Sequence, residues 1–401
     1  MSKETKTKAI LEDYSAALMP TYAPSIVVSS GKGVTVRDAD NMSFYDFTSG
    51  IGVHNTGHCH KKVVEAVQAQ AAKLMHSSNI FANEPEVKLA KKLVGLSGLG
   101  GKVFFCNSGA EANEAAIKLA RKWGSANGGR YEIVTMRRGF HGRTLATVAA
   151  TAQAWCQEGY DPLPVGFAYA DFNDIESVKA AVNEKTVAVM LECVQGEGGV
   201  TPATDEFVKG VRELCDEKNL LMICDEVQSG MGRTGDWFAW QGYGVKPDLF
   251  TLAKSLADGI PMGALVSNEK LADVFTLSAH ASTFGGNPVA AAAANAVIAV
   301  IEEENLLENA KKTGDLCREA LQGFADKYDK ILEVRGRGMM LGMSVDCDPR
   351  EVVDALRAQG ILALTAGGGT VRFLPPLVLG EDDLEDAVEM MGEAFDSLWG
   401  E

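Results

Sequence analysis

The sequence lacks the features of a secreted, membrane-spanning or disulfide-bonded protein. Its 401 residues contain no apolar run of about 18 residues, the length that crosses a bilayer. The segment MSKETKTKAILEDYSA (1–16) has no apolar core of a signal peptide. The 8 cysteines stand singly, without a CxxC pair, which indicates reduced, buried thiols rather than disulfides or metal ligands. We therefore expect a cytoplasmic protein.

Positive charge is also scarce. The chain has 38 Lys and Arg against 54 Asp and Glu, a net charge of −16, so nucleic acids and anionic membranes are disfavoured as partners. The sequence shows no low-complexity tract and no internal repeat. What it does have is a 46% share of hydrophobic residues, enough for a large core shared by two domains in contact.

Short apolar runs alternate with helical patterns through the middle of the chain. Segments 111–123 and 205–219 have the spacing of amphipathic helices. The predicted strands are KVFFC (102–106), EIVTM (132–136), VAVMLECV (187–194), LLMICDE (220–226), DLFTLAK (248–254) and GALVS (263–267). Strands that are apolar on both faces, placed between helices, predict an α/β fold with a mainly parallel sheet.

We expect two domains built from three stretches of chain. Residues 61–290 are predicted to form a large domain around the parallel sheet. After an Ala-rich helix that starts near Asn287, residues 291–401 alternate helices with short strands and predict a smaller α+β domain. Residues 1–60, with the hairpin-like GVTVRDADNMSFYDFTSG, are expected to join that smaller domain.

Three predicted strand ends carry groups capable of chemistry, and ligands of such folds bind at the carboxyl ends of the parallel strands. The first leads into NSGAEANEAA, where Ser108 and Glu111 have capping-box spacing and Gly109 permits close approach to the backbone. A helix start with free N–H groups and a hydroxyl can bind an anion. By itself, this stretch is better interpreted as an ordinary capped helix.

Asp225 and Lys254 end the other two strands. Asp225 follows LLMIC, so its carboxylate is expected at or below the surface, where it needs a cation or a strong donor. A helix cap or an ion pair with a distant arginine would serve as well as a ligand. Lys254 precedes a run of small residues; alone, it fits a lysine whose stem covers the core while its ammonium reaches water.

Taken together, the three groups favour one ligand, pyridoxal phosphate. The helix start would bind the phosphate, Asp225 would keep the ring nitrogen protonated, and Lys254 would bind the aldehyde covalently. Partial desolvation and the neighbouring pyridinium would lower the pKa of Lys254, which would then serve as nucleophile and proton carrier. The small residues after Lys254 leave room for the ring.

A competing motif is GMGRTG (230–235), which matches the G-x-G-x-x-G fingerprint of nicotinamide dinucleotide binding and follows a strand. Two features weaken the match. The residues DEVQ separate it from the apolar strand, and DWFAWQGYGVKPD, which follows it, is broken by glycines and a proline before a crossover helix could form. We therefore rank an NAD-dependent dehydrogenase below a pyridoxal phosphate enzyme.

Six motifs in order carry a resemblance that covers nearly the whole chain. They are FFCNSGAEANEAAIKLARK, GFHGRT, LECVQGEGG, CDEVQSGMGRTG, TLAKSLADGIPMGA and STFGGNP, and the flanking segments GIGVHNTGHCH and VRFLPPL also fit. The chain resembles the class III, fold-type I pyridoxal-phosphate aminotransferases, and among them the acetylornithine aminotransferase group. The resemblance implies a homodimer whose two subunits share their active sites.

The resemblance assigns the cofactor contacts. Lys254 would carry the cofactor and Asp225 would pair with its ring nitrogen, so both are predicted to be catalytic. Gln228 would lie near the phenolic oxygen of the ring, and Phe140 would stack on the ring face. The predicted phosphate contacts, the last of them reaching the neighbouring subunit, are Ser108, Gly109, Ala110 and Thr283.

The resemblance also assigns the substrate contacts. Arg143 would hold the α-carboxylate of the donor with its guanidinium fork. Arg372 would receive the carboxylate of glutamate, and Glu197 would neutralise Arg372 while the acetylated donor is bound; the alternative for Glu197 is an exposed loop acid. Ser282 would lie near the substrate. Tyr22 would line the entrance, although a core tyrosine fits it equally well.

The expected reaction is ping-pong transamination, as in arginine biosynthesis. N-acetylornithine would give N-acetylglutamate semialdehyde, and 2-oxoglutarate would then be aminated to glutamate. The donor stays open because Ala281 stands where the group usually has Gly, and SLAD (255–258) replaces a glycine-richer loop. Alternative donors are N-succinyldiaminopimelate, ornithine, N-succinylornithine and 4-aminobutyrate, and a racemase or aminomutase on the same fold is also open. A binding protein on an inactive enzyme fold is disfavoured because Lys254, Asp225 and Gln228 are all present.

Four histidines and one acid remain without an assigned role. Because Lys254 supplies a base, His141 is expected to be structural even though histidine titrates near neutrality. His54, His58 and His60 are spaced like metal ligands, but no Cys or acid at ligand spacing accompanies them, so no metal is expected. Glu192 either borders the site or is an ordinary strand-end acid.

Overall fold

The structure, a computed structural model, describes residues 5–400. Within that range the α-helices are α1 Lys6–Ala17, α2 Ser49–Gly52, α3 Lys61–Lys73, α4 Glu84–Ser97, α5 Gly109–Ala126, α6 Leu145–Ala150, α7 Ala154–Gln157, α8 Ile175–Ala181, α9 Asp205–Lys218, α10 Pro288–Glu303, α11 Leu306–Lys327, α12 Pro349–Ala358 and α13 Glu381–Trp399. Short 3₁₀ helices cover Ala239–Tyr243, Lys254–Leu256 and Glu269–Leu271. No helix in this range is both long and apolar enough to span a bilayer.

The strands of the same range form three larger sheets and one two-stranded sheet. They are β1 Val28–Lys32, β2 Thr35–Asp38, β3 Ser43–Asp46, β4 Gly100–Cys106, β5 Glu132–Met136, β6 Phe167–Ala170, β7 Thr186–Leu191, β8 Val194–Gln195, β9 Thr201–Pro202, β10 Leu221–Asp225, β11 Leu249–Leu252, β12 Gly263–Asn268, β13 Ile331–Arg337, β14 Met340–Val345, β15 Ile361–Leu362, β16 Leu364–Ala366 and β17 Thr370–Phe373.

The central sheet has seven strands in the order β4-β12-β11-β10-β7-β5-β6. Its five strands from β11 to β6 pair in parallel. Strand β12 runs antiparallel to both of its neighbours, β11 and β4. The predicted α/β fold with a mainly parallel sheet is confirmed, with one reversed strand.

Helices cover both faces of this sheet, which explains its apolar strands. On β10, Leu221 and Ile223 pack in a cluster with residues of α5 such as Ile117, whereas Met222 lies in the cluster that contains Phe207 of α9. Alternate residues of one strand therefore enter two different cores. Every residue of β7, β10 and β11 is buried, as expected for parallel strands covered on both sides.

The strand bounds differ from the predicted ones mainly where the sheet meets the site. Strand β5 begins and ends as predicted, but VAVMLECV divides into β7 and β8. Strand β11 stops at Leu252, and Lys254 opens a 3₁₀ helix instead of ending the strand. Strand β6 (Phe167–Ala170) was not predicted, because it is an edge strand whose residues are mostly only partly buried.

Two four-stranded sheets flank the central one, in the orders β1-β2-β3-β15 and β13-β14-β17-β16. Strand β3 of the N-terminal stretch pairs in parallel with β15 of the C-terminal stretch. Helix α10, capped by the Asn287 side chain and rich in buried alanines, contacts α3, α4 and α11. The two ends of the chain therefore share one sheet, while the division into residues 1–60, 61–290 and 291–401 stays a prediction.

Candidate active site

A cavity of about 440 Å³ lies at the carboxyl ends of the parallel strands, a volume suited to a small-molecule ligand. Its wall is formed by the start of α5, the loop at 140–143, the ends of β10 and β11, and the turn at 259–262. The predicted site residues that line it are Ser108, Gly109, Ala110, Phe140, Arg143, Asp225, Gln228 and Lys254. Groups from four separate segments therefore face one cavity, as the three strand ends predicted.

The start of α5 forms the anion-binding side of the cavity. Ser108 is the N-cap, and its Oγ accepts a hydrogen bond from the Glu111 backbone N at 3.1 Å. The N–H groups of Gly109 and Ala110, the first two of the helix, have no acceptor among residues 5–400. A Cβ at Gly109 would lie 2.7 Å from a methyl of Val227, so glycine lets the helix start approach the loop after β10. This geometry fits a phosphate group.

Asp225, the last residue of β10, is buried and accepts three hydrogen bonds. The Val227 backbone N donates to Oδ1 at 3.0 Å, and Asn113 Nδ2 donates to Oδ2 at 2.8 Å. His141 Nδ1 lies 2.7 Å from the same Oδ2, and Thr251 Oγ1 fixes Asn113 by donating to its Oδ1 at 2.7 Å. The partner of the carboxylate is thus a histidine, not a distant arginine. An ionised Asp225 still has acceptor capacity for a protonated ring nitrogen.

His141 is the functional residue that the sequence argument missed. Burial lowers the pKa of His141, but the hydrogen bond and the charge of Asp225 outweigh burial and raise the pKa above its ordinary value. The other ring nitrogen, Nε2, is buried without a hydrogen-bond partner among the described residues. His141 lies in the cavity wall, and its hydrogen bond fixes the position of Asp225. The signal was available, since a buried carboxylate requires a donor and His141 belongs to a site motif.

Lys254 follows β11 and lines the cavity. Its backbone has a φ of 45°, a left-handed conformation that is uncommon outside glycine and often found at functional sites. Burial lowers the pKa of Lys254 to about 8, against the raising effect of the Glu197 carboxylate. Near neutral pH, the unprotonated amine, which is the form that attacks an aldehyde, is therefore far more populated than in an ordinary lysine.

Glu192 borders the site and supports the loop that carries Phe140. Its Oε2 accepts from the Phe140 backbone N at 2.9 Å, and its Oε1 accepts from the Gly196 backbone N at 3.3 Å. It lines the cavity, and burial raises its pKa to about 7. Of the two alternatives left by the sequence, a position at the border of the site is confirmed.

Glu197 and Arg372 form an ion pair behind the cavity. Arg372 is buried on β17, and its Nη1 donates to Glu197 Oε1 at 2.6 Å and to Gln228 Oε1 at 3.2 Å. Burial raises the pKa of Glu197, but the charge and hydrogen bond of Arg372 outweigh burial, so the pKa lies below its ordinary value. Neither residue lines the cavity; Gln228, which does, connects the pair to it. Glu197 is therefore not a free loop acid.

Three further predicted residues lie away from the cavity wall. Ser282 is near it, because its Oγ accepts from Asn107 Nδ2 at 3.3 Å and Asn107 is part of the wall. Thr283, the residue after Ser282, is exposed. Tyr22 is 75% exposed, which excludes a core tyrosine without placing it at the cavity.

The GMGRTG segment packs in the protein core and does not form a dinucleotide-binding site. Arg233 is fully buried, and its guanidinium donates to the backbone oxygens of Met339 (3.0 Å) and Pro375 and to the Asn55 side chain. The next helix is the short 3₁₀ helix Ala239–Tyr243, and no α-helix begins between residues 226 and 248, all of which the structure describes. The segment therefore lacks the helix N-terminus that a bound pyrophosphate requires.

Two of the three clustered histidines, His58 and His60, form hydrogen bonds with acids. His58 Nε2 lies 2.7 Å from Asp46 Oδ2, and His60 Nε2 lies 3.1 Å from Glu304 Oε1. Among residues 5–400, no group of three or more His, Cys, Asp or Glu side chains has an arrangement suited to a metal ion.

Comparison with known proteins agrees with this geometry. The family described as aminotransferase class-III matches residues 18–395. An acetylornithine aminotransferase of Methanocaldococcus jannaschii is 48% identical over 93% of this chain and 94% of that protein. The ornithine aminotransferase of Toxoplasma gondii superposes with a TM-score of 0.95 at 32% identity, over 99% of this chain and 96% of that one. The N-acetylornithine aminotransferase of Stenotrophomonas maltophilia superposes with a TM-score of 0.82 at 36% identity, over 94% of this chain and 97% of that one.

The chain belongs to the class-III aminotransferase family. It is a pyridoxal-phosphate-dependent transaminase, and its substrates are amino acids and 2-oxo acids. The residues around the cavity fit that cofactor: a helix start for the phosphate, a buried carboxylate for the ring nitrogen, and a lysine whose pKa is lowered to about 8.

Proposed function

We propose that the protein transfers the amino group of N2-acetylornithine to 2-oxoglutarate, giving N-acetylglutamate 5-semialdehyde and glutamate. The observation that carries the proposal is the presence of Asp225, Lys254 and Arg143 on one cavity. The proposal is supported further by a 48% identical relative named acetylornithine aminotransferase, aligned over 93% of this chain.

Each side chain has a task that its environment suits. Pyridoxal phosphate, when bound, supplies an aldehyde that accepts the amino group and a ring that withdraws electrons from the reacting carbon. Asp225, held by His141 and Asn113, would keep a proton at the ring nitrogen. Lys254 removes and returns a proton at the substrate carbon that bears the amino group, as its lowered pKa permits. Gln228 would contact the phenolic oxygen.

Phosphate binding and ring stacking fall to the residues at the two ends of the cavity. The helix start would bind the phosphate through the Ser108 hydroxyl and the N–H groups of Gly109 and Ala110. Phe140, whose backbone N is held by Glu192, would pack against the ring.

Two arginines would distinguish the substrates. Arg143 would bind the α-carboxylate of N-acetylornithine, which lies at the end of the substrate remote from the reacting amine. While N-acetylornithine is bound, Glu197 would neutralise Arg372. When glutamate binds, Glu197 would release Arg372, which would then bind a carboxylate of glutamate. Both tasks suit the planar fork of a guanidinium.

We further propose that the protein is a cytoplasmic homodimer. Thr283 is exposed and followed by Phe284, a large apolar side chain that is 59% exposed in the single subunit. A second subunit covering this region would place Thr283 at the neighbouring phosphate, with Ser282 nearer the substrate and Tyr22 at the entrance. Division of each subunit at about residues 60 and 290 belongs to the same proposal.

A comparison of donors tests the proposed reaction. We expect the highest kcat/KM, with 2-oxoglutarate as acceptor, for N-acetylornithine among N-acetylornithine, ornithine, N-succinylornithine, N-succinyldiaminopimelate and 4-aminobutyrate. A clear preference for ornithine or 4-aminobutyrate would contradict the proposed donor but leave the transaminase chemistry intact. Small differences in pocket shape discriminate between such similar donors by only about 1–3 kcal/mol. The full series must therefore be measured under one set of conditions.

A further inference from the structure

Two guanidinium groups near the site are held in opposite ways. Arg372 is buried, ion-paired with Glu197 and hydrogen-bonded to Gln228. Arg143 lines the cavity, and within residues 5–400 it forms no ion pair and no side-chain hydrogen bond. Its neighbours are aromatic: the guanidinium carbon lies 4.5 Å from the centre of the Trp155 ring and 5.5 Å from that of Phe140.

Trp155 is itself fastened to the loop that precedes Arg143. The indole Nε1 donates to Gln153 Oε1 at 2.9 Å, and Gln153 Nε2 donates to the Gly139 backbone oxygen at 3.0 Å. The indole face is thereby kept against the guanidinium, although Trp155 is 63% exposed and contributes little to the core. Ordinary packing does not explain a large aromatic side chain in this place.

The chemical consequence concerns the donors of Arg143. An aromatic face attracts a cation through its quadrupole and uses none of the N–H groups. A carboxylate neighbour would hold the guanidinium equally well but would occupy two of those donors and cancel the charge. Stacking on Trp155 and Phe140 therefore orients Arg143 and leaves its charge and its fork for an incoming carboxylate.

We propose that Trp155 is a positioning residue for carboxylate recognition: it holds the Arg143 guanidinium in the orientation that binds the carboxylate remote from the reacting amine. This inference rests on the proposed role of Arg143. The substrate class it selects is amino donors and oxo acceptors that carry a carboxylate several bonds from the reacting carbon. Trp155 acts through Arg143 and touches no reacting atom.

Binding of a ligand that cannot react tests the inference directly. N-acetylnorvaline has the carbon skeleton and the carboxylate of N-acetylornithine but no side-chain amine, and calorimetry of the holoenzyme gives its dissociation constant. We expect Trp155→Ala to raise that constant between about twofold and tenfold, the range of a cation–π contact at a partly exposed site. Trp155→Phe keeps an aromatic face and should restore most of the affinity. Tyr160→Ala, an exposed aromatic residue that stacks on no arginine among the described residues, should match the wild type.

A kinetic comparison separates positioning from general damage. N-acetylputrescine is N-acetylornithine without its carboxylate, so its reaction does not use Arg143. Trp155→Ala should raise KM for N-acetylornithine, leave kcat nearly unchanged, and leave kcat/KM for N-acetylputrescine unchanged. An equal loss for both donors, or an unchanged affinity for N-acetylnorvaline, would overturn the inference.

Arg143→Ala distinguishes this inference from the function on which it rests. If Arg143→Ala abolishes binding of N-acetylnorvaline while Trp155→Ala does not weaken it, Trp155 has no positioning role and the proposed function stands. If Arg143→Ala leaves that binding unchanged, the proposed role of Arg143 fails, and the role of Trp155 fails with it.

Discussion

His141 Nδ1 lies 2.7 Å from Asp225 Oδ2, in a region where both side chains are buried. The histidine shares this oxygen with Asn113, so two donors fix the carboxylate on the side away from the Val227 backbone N. The hydrogen bond and the charge of Asp225 raise the pKa of His141 above its ordinary value in spite of burial. The Asp225 carboxylate is thus held in one orientation by two side chains of the cavity wall.

Replacing His141 tests that arrangement. His141→Ala removes one donor from Asp225 and should raise the dissociation constant of pyridoxal phosphate by roughly tenfold, the scale of one hydrogen bond to a charged group. Thr251→Val, which removes a donor one step further away, should have a smaller effect. Cofactor titration of the apo-protein measures both constants. An unchanged constant in His141→Ala would mean that Asp225 needs no such support.

Lys254 should titrate well below an ordinary lysine. Burial disfavours the charged ammonium, so the amine loses its proton at lower pH, with a pKa of about 8. In the apo-protein, the rate of acetylation of Lys254 by a trace of acetic anhydride should therefore rise with pH to a plateau with a midpoint near 8. Surface lysines of the same digest provide the reference, with an ordinary pKa of about 10.4. A midpoint for Lys254 that coincides with theirs would refute the effect of burial.

The same shift predicts how stability depends on pH. Between pH about 8 and the higher pKa of an unfolded lysine, the unfolded chain binds more protons at Lys254 than the folded apo-protein does. The contribution of Lys254 to the free energy of unfolding should therefore increase as pH rises through this window. Urea denaturation of the apo-protein and of Lys254→Met at pH 7.5 and 9.5 (about half a unit below and well above the folded pKa) measures it. A difference between the two proteins that does not change with pH would contradict the shift.

Glu197→Gln should separate the two half-reactions. The substitution leaves Arg372 buried without its carboxylate partner while keeping the size of the side chain. We expect the rate with N-acetylornithine to fall by about tenfold or more, because an unneutralised guanidinium then faces a donor that offers it no carboxylate. The rate with glutamate should not fall. Single-turnover kinetics of each half-reaction gives the comparison, and equal losses in both would remove Glu197 from the switch.

Replacing Arg233 should lower the free energy of unfolding without a direct effect on the transamination reaction. Its fully buried guanidinium joins the Asn55 side chain to the backbone oxygens of Met339 and Pro375. Arg233→Met leaves these acceptors without a donor and should cost roughly 3 kcal/mol, since each unsatisfied buried group costs about 1–3 kcal/mol. Urea denaturation measures the loss. An unchanged midpoint of unfolding would show that water or a local rearrangement satisfies the acceptors.

The sequence predicted best those strands of the central sheet that are buried on both faces. Strands β7, β10 and β11 have apolar residues on both faces, and that pattern was visible as continuous apolar runs. Strand β6, at the edge of the sheet, has no such pattern. The parallel pairing of β3 with β15 joins the two ends of the chain and depends on contacts that no local pattern encodes.

The same distinction applies to the site. Strand-end position was enough to bring Asp225 and Lys254 to one cavity, because parallel strands end on one edge of the sheet. The partner of Asp225 was not predicted, since His141 is 84 residues away and reaches it only through the packing of a loop. The ion pair of Glu197 with Arg372 was expected from the family resemblance alone, because 175 residues separate the two.

We propose that Lys254 binds the cofactor covalently in the cavity that it shares with Asp225. Borohydride reduction of the yellow holoenzyme, followed by proteolysis and mass spectrometry, locates the lysine that carries the cofactor. We expect a phosphopyridoxyl group on the peptide that contains Lys254, and we expect this group to be absent in Lys254→Ala. A modified peptide from any other lysine, or none, would contradict it.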